Sequence, residues 1–247
     1  DIDDDGLCCG YNDYNYIEFN GTSSFISIDT QPILDISSFQ EQLSITGWIQ
    51  IPIDGNPNSN WSTLIGAYAG WGILLYAGSA GNNGVLGLSL HEVGGLEGVT
   101  DLRDGQWHHI AAIYDGVNIS LYVDGYLDAT VLAEGEELTS HPNGLDSFFI
   151  GKNNHASAST EFFQGKINEL QIWQNDLEDS DIENLILFNE NSYEIEGLVA
   201  NWQFNNNAQD SSGNSNNGST SSTTYGTTQF AEDPCCSDAE NDADNDG

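Results

Sequence analysis

The sequence predicts an all-β fold: a two-sheet antiparallel jelly-roll β-sandwich carrying one short helix. Three observations predict it. Apolar and polar residues alternate at period two in short runs along most of the chain. Gly-rich turns, Asp115-Gly116, Asp124-Gly125 and Gly81-Asn82-Asn83-Gly84, separate many of these runs. One segment alone, about residues 178–189, spaces its apolar residues at helical intervals. A length of 247 residues fits one large β domain or two small ones, and six Trp, ten Tyr and ten Phe supply bulky core material.

In chain order, Tyr16-Ile17-Glu18-Phe19 and Phe25-Ile26-Ser27-Ile28 flank Asn20-Gly21-Thr22-Ser23 and read as a hairpin. Residues 43–51 place Leu43, Ile45, Gly47, Ile49 and Ile51 on one face. Further strands are expected at 63–66, 72–77, 85–90, 107–114, 118–123, 127–132, 147–150 and 166–174. Leu177, Ile182, Leu185, Ile186 and Phe188 mark the helix, with Asp176 or Asp179 as its N-cap. The pattern returns to strand at 198–204, and a Ser/Thr/Asn/Gly tract fills 211–228. Residues 1–15 and 229–247 are acidic, Cys-bearing and poor in aliphatics, so they read as linkers around a 16–228 domain.

Three cations against 39 acids give a formal net charge of −36. That excludes binding to nucleic acid through phosphate neutralisation, and an anionic membrane would repel the chain. No apolar run is long enough to span a membrane. Such a charge calls for cations, and the chain ends offer places for them. Asp1, Asp3 and Asp5 precede Gly6, and Asp242, Asp244 and Asp246 precede Gly247, with Asp238 close by. Carboxylates on alternate residues before a Gly are a calcium-loop pattern. Position twelve of the first loop is Asn12 and not the Glu of a helix-loop-helix hand. The loops therefore resemble thrombospondin type-3 or dockerin-like loops, and calcium is the expected cofactor.

A vicinal pair, Cys8-Cys9, lies near one end and another, Cys235-Cys236, near the other. Adjacent cysteines do not bridge each other without strain, so the partners are expected across the pairs, with the connectivity open. That requires the two ends to meet, and disulfides imply an oxidising compartment. The chain contains no Met and reads as a piece of a longer secreted polypeptide. Sequons at Asn20, Asn60, Asn118 and Asn217 are candidate glycosylation sites.

The central blocks resemble the laminin-G-like domains of the concanavalin-A-like lectin superfamily, including its pentraxin-related branch. The carrying residues are Ile17 to Ile26, Leu43 to Ile49, Asp104-Gly105-Gln106-Trp107-His108-His109-Ile110-Ala111, Tyr122-Val123-Asp124-Gly125, Phe149-Ile150-Gly151 and Phe163-Gln164-Gly165-Lys166-Ile167-Asn168-Glu169-Leu170-Gln171-Ile172-Trp173. The resemblance implies a jelly roll whose chain ends are neighbours. It also implies calcium near Asn20 and Asn168-Glu169, where Asn stands in place of the commoner Asp at Asn20 and Asn168.

Side chains of strand neighbours point to opposite faces, so His108 and His109 cannot share one ion; one is expected inside and one outside. Glycosidases of this fold need two carboxylates flanking the sugar bond. The chain offers only Glu194-Ile195-Glu196 after the helix, so no catalytic residue is assigned. Trp48, Trp107, Trp173 and Trp202 fall in the family's core blocks. Trp61, Trp71 and Tyr68 lie outside them in a Gly/Asn-rich stretch and are the carbohydrate-stacking candidates.

Two readings of function follow. One is a non-catalytic extracellular structural or adhesive module, a repeat of an array with calcium- and disulfide-stabilised junctions, whose partners are neighbouring copies or flanking domains. The alternative is a calcium-dependent carbohydrate-binding module of a larger secreted enzyme or adhesin, whose partners are glycans.

Overall fold

The computed structural model describes residues 11–29, 39, 42–53, 61–67, 72–79, 82–133, 138, 147–153, 161–187 and 195–231. Its strands, in chain order, are β1 (Tyr11–Asn20), β2 (Phe25–Asp29), β3 (Leu43–Gln50), β4 (Thr63–Gly66), β5 (Ile73–Ser79), β6 (Asn82–Leu90), β7 (Gly94–Glu97), β8 (Trp107–Tyr114), β9 (Asn118–Val123), β10 (Tyr126–Leu132), β11 (Ser147–Ile150), β12 (Gln164–Trp173), β13 (Leu198–Trp202), β14 (Gly218–Ser221) and β15 (Thr224–Ala231). Helix α1 (Asp179–Ile186) lies between β12 and β13.

The strands form two antiparallel sheets, and the architecture is the nearly all-β sandwich that the alternation predicts, with one helix among the described residues. The eight-stranded sheet runs β10-β9-β8-β3-β12-β1-β15, with β13 also paired to β12. The seven-stranded sheet runs β14-β2-β11-β4-β5-β6-β7. Period-two alternation turns one face of each sheet inward. Leu43, Ile45, Ile49 and Ile51 of the β3 segment, with Ile110 and Ala112 of β8, meet Ile26, Ile28, Phe148, Leu75 and Leu88 from the other sheet in one continuous core. Trp202 is 0% exposed within it. Its ring centroid lies 6.0 Å from that of Phe148, and its Nε1–H donates to the Asn216 carbonyl at 2.8 Å.

A second apolar cluster forms on the outer face of the eight-stranded sheet. Ala111 and Ile113 of β8 and Trp173 of β12 pack there against Leu177, Ile182 and Leu185. The N-cap of α1 is Glu178 and neither Asp176 nor Asp179. Leu177 is buried, and its N–H donates to Ser44 Oγ at 3.0 Å, so the chain stays anchored to the sheet until the helix begins. The Glu178 N–H then donates to the Asp181 carboxylate at 3.0 Å. The helix closes at Ile186, short of the expected residue 189.

The expected first hairpin is not one. β1 and β2 belong to different sheets, and the chain between them crosses the sandwich edge. Both strands point apolar residues inward, Ile17 and Phe19 from one sheet and Ile26 and Ile28 from the other. Asn20 Oδ1 makes the corner by accepting from the backbone N–H groups of Thr22 (2.9 Å), Ser23 (2.9 Å) and Ser24 (3.1 Å). Three strands fall where no strand was expected: β7, β14 and β15. β15 pairs with β1 from Tyr11↔Ala231 to Glu18↔Thr224, so strand structure enters both segments read as linkers. Among the described residues no helix is long and apolar enough to cross a membrane.

Candidate functional site

The register of the eight-stranded sheet sets five side chains in one row. Thr224 pairs with Glu18, Glu18 with Lys166, Lys166 with Gln50, and Gln50 with Trp107. Their strand neighbours Ile17, Phe19, Ile167, Ile49 and Ile51 are core residues, so alternation turns this row outward. A cleft of about 800 Å³ opens over Thr224, Glu18, Lys166 and Gln50 of this row. Glu18, Asn20, Gln50, Gln164, Lys166, Ser222 and Thr224 supply its polar lining, and Pro52 and Ile53 an apolar rim. Gln50 Nε2 donates to the Gly105 carbonyl at 2.9 Å, which fixes the amide beside the cleft. A Cβ at residue 165 would collide with the Gln50 carbonyl, and Gly165 has φ +149°, so only glycine lets β12 approach β3 here.

Two aromatic rings stand over the same strip. Tyr16 and Trp107 are half-buried, with centroids 5.9 Å apart and planes at 54°. Their strands are three ladder steps apart, about 14 Å at ordinary strand spacing. The rings therefore reach toward each other across β12 and β3. The Lys166 ammonium lies 4.5 Å from the Tyr16 ring centroid. On the other side, a Cβ at Gly226 would collide with the Tyr16 ring, so the glycine leaves room for it.

The next outward row is polar and covered. Trp48 and His109, directly paired, meet edge to face at 5.4 Å. Asn168 is 1% exposed, and neither atom of its amide has a hydrogen-bond partner. Beside it the β12–β3 pairing slips between Asn168 and Gln171, and Glu169 sits in the slip with φ +47°. Burial pushes the Glu169 carboxyl up to about 7. Asn201 and Gln203 lie close enough to favour its ionised form, though no hydrogen bond of ordinary length joins Asn201 to it.

A family model described as the concanavalin A-like lectin/glucanases superfamily matches residues 20–183. The chain belongs to this superfamily. The concanavalin A-like sandwich is also what solved structures share with it. A candidate carbohydrate binding protein from Bacteroides ovatus superposes with TM-score 0.69 at 18% identity, over 89% of this chain and 62% of that one. The native heptameric SAP-like pentraxin of Limulus polyphemus gives 0.58 at 16%, over 88% of this chain and 95% of that one. The CBM40 domain of the Ruminococcus gnavus IT-sialidase gives 0.54 at 19%, over 71% and 98%. At these identities the likeness is one of fold. This lectin-like chain spans 62% of the length of the Bacteroides protein. No curated protein matches it.

Within the lectin-like sandwich, the expected ion residues Asn20 and Glu169 lie apart. Asn20 pairs with Gln164, five positions before Glu169 on β12, or about 17 Å along the strand. Asn20 also spends its side-chain oxygen on the corner turn. Asp1, Asp3, Asp5, Asp238, Asp242, Asp244 and Asp246, all four cysteines, Asn60, Tyr68 and Trp71 lie outside the described residues. Among the sequons, Asn20 and Asn217 are exposed, while Asn118 is half-buried with its Nδ2 donating to Asp115 at 3.1 Å.

Trp61 lies on the other sheet, its ring 4.7 Å from Tyr76 and edge-on to it. The Tyr76 hydroxyl donates to Glu97 at 3.2 Å, and burial first, then Glu97, raises its pKa. Of the four Trp expected in the core, Trp202 lies between the sheets and Trp48 and Trp173 are buried on the outer face of the eight-stranded sheet, while Trp107, half-buried, corrects the expectation. The expected inside–outside split of the histidines takes a different form too. His109, on the outer side, is the buried one at 2% exposure. His108 lies at the rim, where Nδ1 meets Asp124 at 2.7 Å and Nε2 meets Asp104 at 3.1 Å.

Proposed function

We propose that the chain is a non-catalytic carbohydrate-binding module whose site is the Thr224–Glu18–Lys166–Gln50–Trp107 strip. The observation that carries this reading is a cleft lined by a polar row, with two half-buried rings, Tyr16 and Trp107, beside it on the same sheet face. A pyranose ring offers an apolar C–H face and a rim of hydroxyls. Tyr16 and Trp107 suit the first; Glu18, Gln50 and Thr224, as hydrogen-bonding groups, suit the second. Glu18 is the one carboxylate lining the cleft among the described residues, where glycoside hydrolysis needs two. Secretion suits such a role.

Binding to a glycan array is expected for the intact chain and lost in a Trp107→Ala, Gln50→Ala double variant that keeps its near-UV circular dichroism. Equal binding by the variant would move the site elsewhere.

Calcium enters this reading as a structural ion. Glu169, Asn168, Asn201 and Gln203 offer oxygen donors in a covered setting, and the unpartnered Asn168 amide supports the fit. When bound, the ion would hold the Glu169 carboxylate charged and fix the slip in β12 beside Asn168. The terminal aspartates remain candidates for separate calcium loops.

A second reading, the adhesive repeat, is favoured by the β1–β15 register. It carries chain entry and exit to the neighbouring pair Tyr11 and Ala231. Segments bearing Cys8-Cys9 and Cys235-Cys236 thus start side by side, which supports a disulfide clamp within the unit at the domain base, from which the calcium loops would face neighbouring units. Peptide mapping without reductant is expected to recover a cross-linked peptide holding both pairs. Free thiols in protein secreted through an oxidising compartment would rule the clamp out.

A further inference from the structure

The chain carries only three Lys and Arg residues, and what each does differs. The Arg103 guanidinium is held by Asp101 within its own turn, with Nε–Oδ1 at 3.0 Å and Nη2–Oδ2 at 2.9 Å. The Lys152 ammonium rests between the rings of Phe25 and Phe149, 3.9 and 4.0 Å from their centroids. Lys166 alone stands in the cleft. The ion pairs among the described residues involve Arg103, His91 and His108, and none involves Lys166. This holds although Glu18 is its direct cross-strand neighbour and the chain has 39 acids to offer. Its ammonium lies instead over the Tyr16 ring, 4.5 Å from the centroid.

An ammonium positioned by a ring and unpaired among the described residues is suited to receive an anion. The surrounding charge limits which anion. A chain of net charge −36 repels a dense polyanion at long range, whereas one carboxylate set among neutral hydroxyls meets mainly the local field. Glu18 and Gln50 on either side of Lys166 are suited to hydroxyls that flank such a carboxylate.

Resting on the carbohydrate-binding reading, we propose that the cleft recognises saccharides bearing a sugar carboxylate, a uronate or comparable acid, and that Lys166 is the residue that reads it.

The test compares a carboxylated oligosaccharide, its methyl ester and a sulfated counterpart by isothermal titration calorimetry at low and physiological salt. The acid is expected to bind at least about tenfold tighter than its ester, as one charge-assisted hydrogen bond would give. The advantage should shrink with added salt. Lys166→Gln is expected to abolish the preference, so that acid and ester bind alike, and Lys166→Arg to keep it. Equal binding of acid and ester by the unaltered chain would overturn the proposal while leaving carbohydrate binding intact. Preference for the sulfated ligand would overturn the carboxylate assignment. Binding to none of the three, nor to any neutral glycan, would overturn both readings. An unchanged preference in Lys166→Gln would remove Lys166 from the role.

Discussion

As pH falls from 6.5 toward 4, the domain is expected to lose about 3 kcal/mol of stability through His109 alone. Burial depresses this imidazole to about 4, while its unfolded value is 6.5. Between those values the unfolded chain takes up a proton that the folded chain refuses, so acid favours unfolding. Below about 4 both states are protonated and this loss levels off. The physical cause is an imidazole held beneath Trp48, whose Nδ1 finds no hydrogen-bond partner. His109→Gln removes the titration. Urea midpoints between pH 4 and 7.5 should therefore fall more gently in the variant, because only the carboxylates then respond to acid. Parallel curves for the two proteins would contradict the buried, neutral histidine.

His108, the adjacent residue, has the opposite sign. Its bond to Asp124 is the largest cause raising its pKa, and Asp104 adds to it. A raised folded value means the stabilisation is fully present below pH 6.5, the unfolded value, and is lost as pH rises from there through the higher folded value. Two neighbours in one strand thus titrate against each other. The alternation of faces places one under a ring and the other between two turns.

The second large effect lies in the core. Trp202→Ala is expected to cost about 3–5 kcal/mol, from the cavity between the sheets and the lost bond to the Asn216 carbonyl. Trp202→Phe keeps most of the volume and should cost about 1–2 kcal/mol, chiefly that hydrogen bond. Thermal and denaturant unfolding would measure both. A Trp202→Ala variant within 1 kcal/mol of the parent would mean that the inter-sheet packing is misplaced.

Most of the fold was legible because core strands state their face in their own residues. Leu43, Ile45, Ile49 and Ile51 announce β3 without help from any neighbour. β14 and β15 do not, because edge strands rich in Ser, Thr and Gly bury little on either face. The 20–24 corner was misread for a related reason. A tight turn between two alternating runs looks the same whether the runs pair with each other or oppose each other across a core.

The site was the least legible part. Glu18, Lys166, Gln50, Trp107 and Thr224 are scattered along the chain, and only the strand order β15-β1-β12-β3-β8 lines them up. Outward alternation was readable at Glu18, Gln50 and Lys166 but not at Thr224 or Trp107, and which strands neighbour each other was not readable at all. Trp107 sits in a block whose spacing suits a core strand, and its exposure follows from the sheet's outer face being open there.

The position of a bound oligosaccharide, followed by amide chemical-shift changes during titration, tests the assignment of the site most directly. Shifts are expected at Glu18, Gln50, Gly105, Trp107, Lys166 and Thr224, which line or border the strip. Shifts confined to Trp61, Tyr76, Gly87 and Glu97 on the opposite sheet, with the strip unmoved, would contradict it.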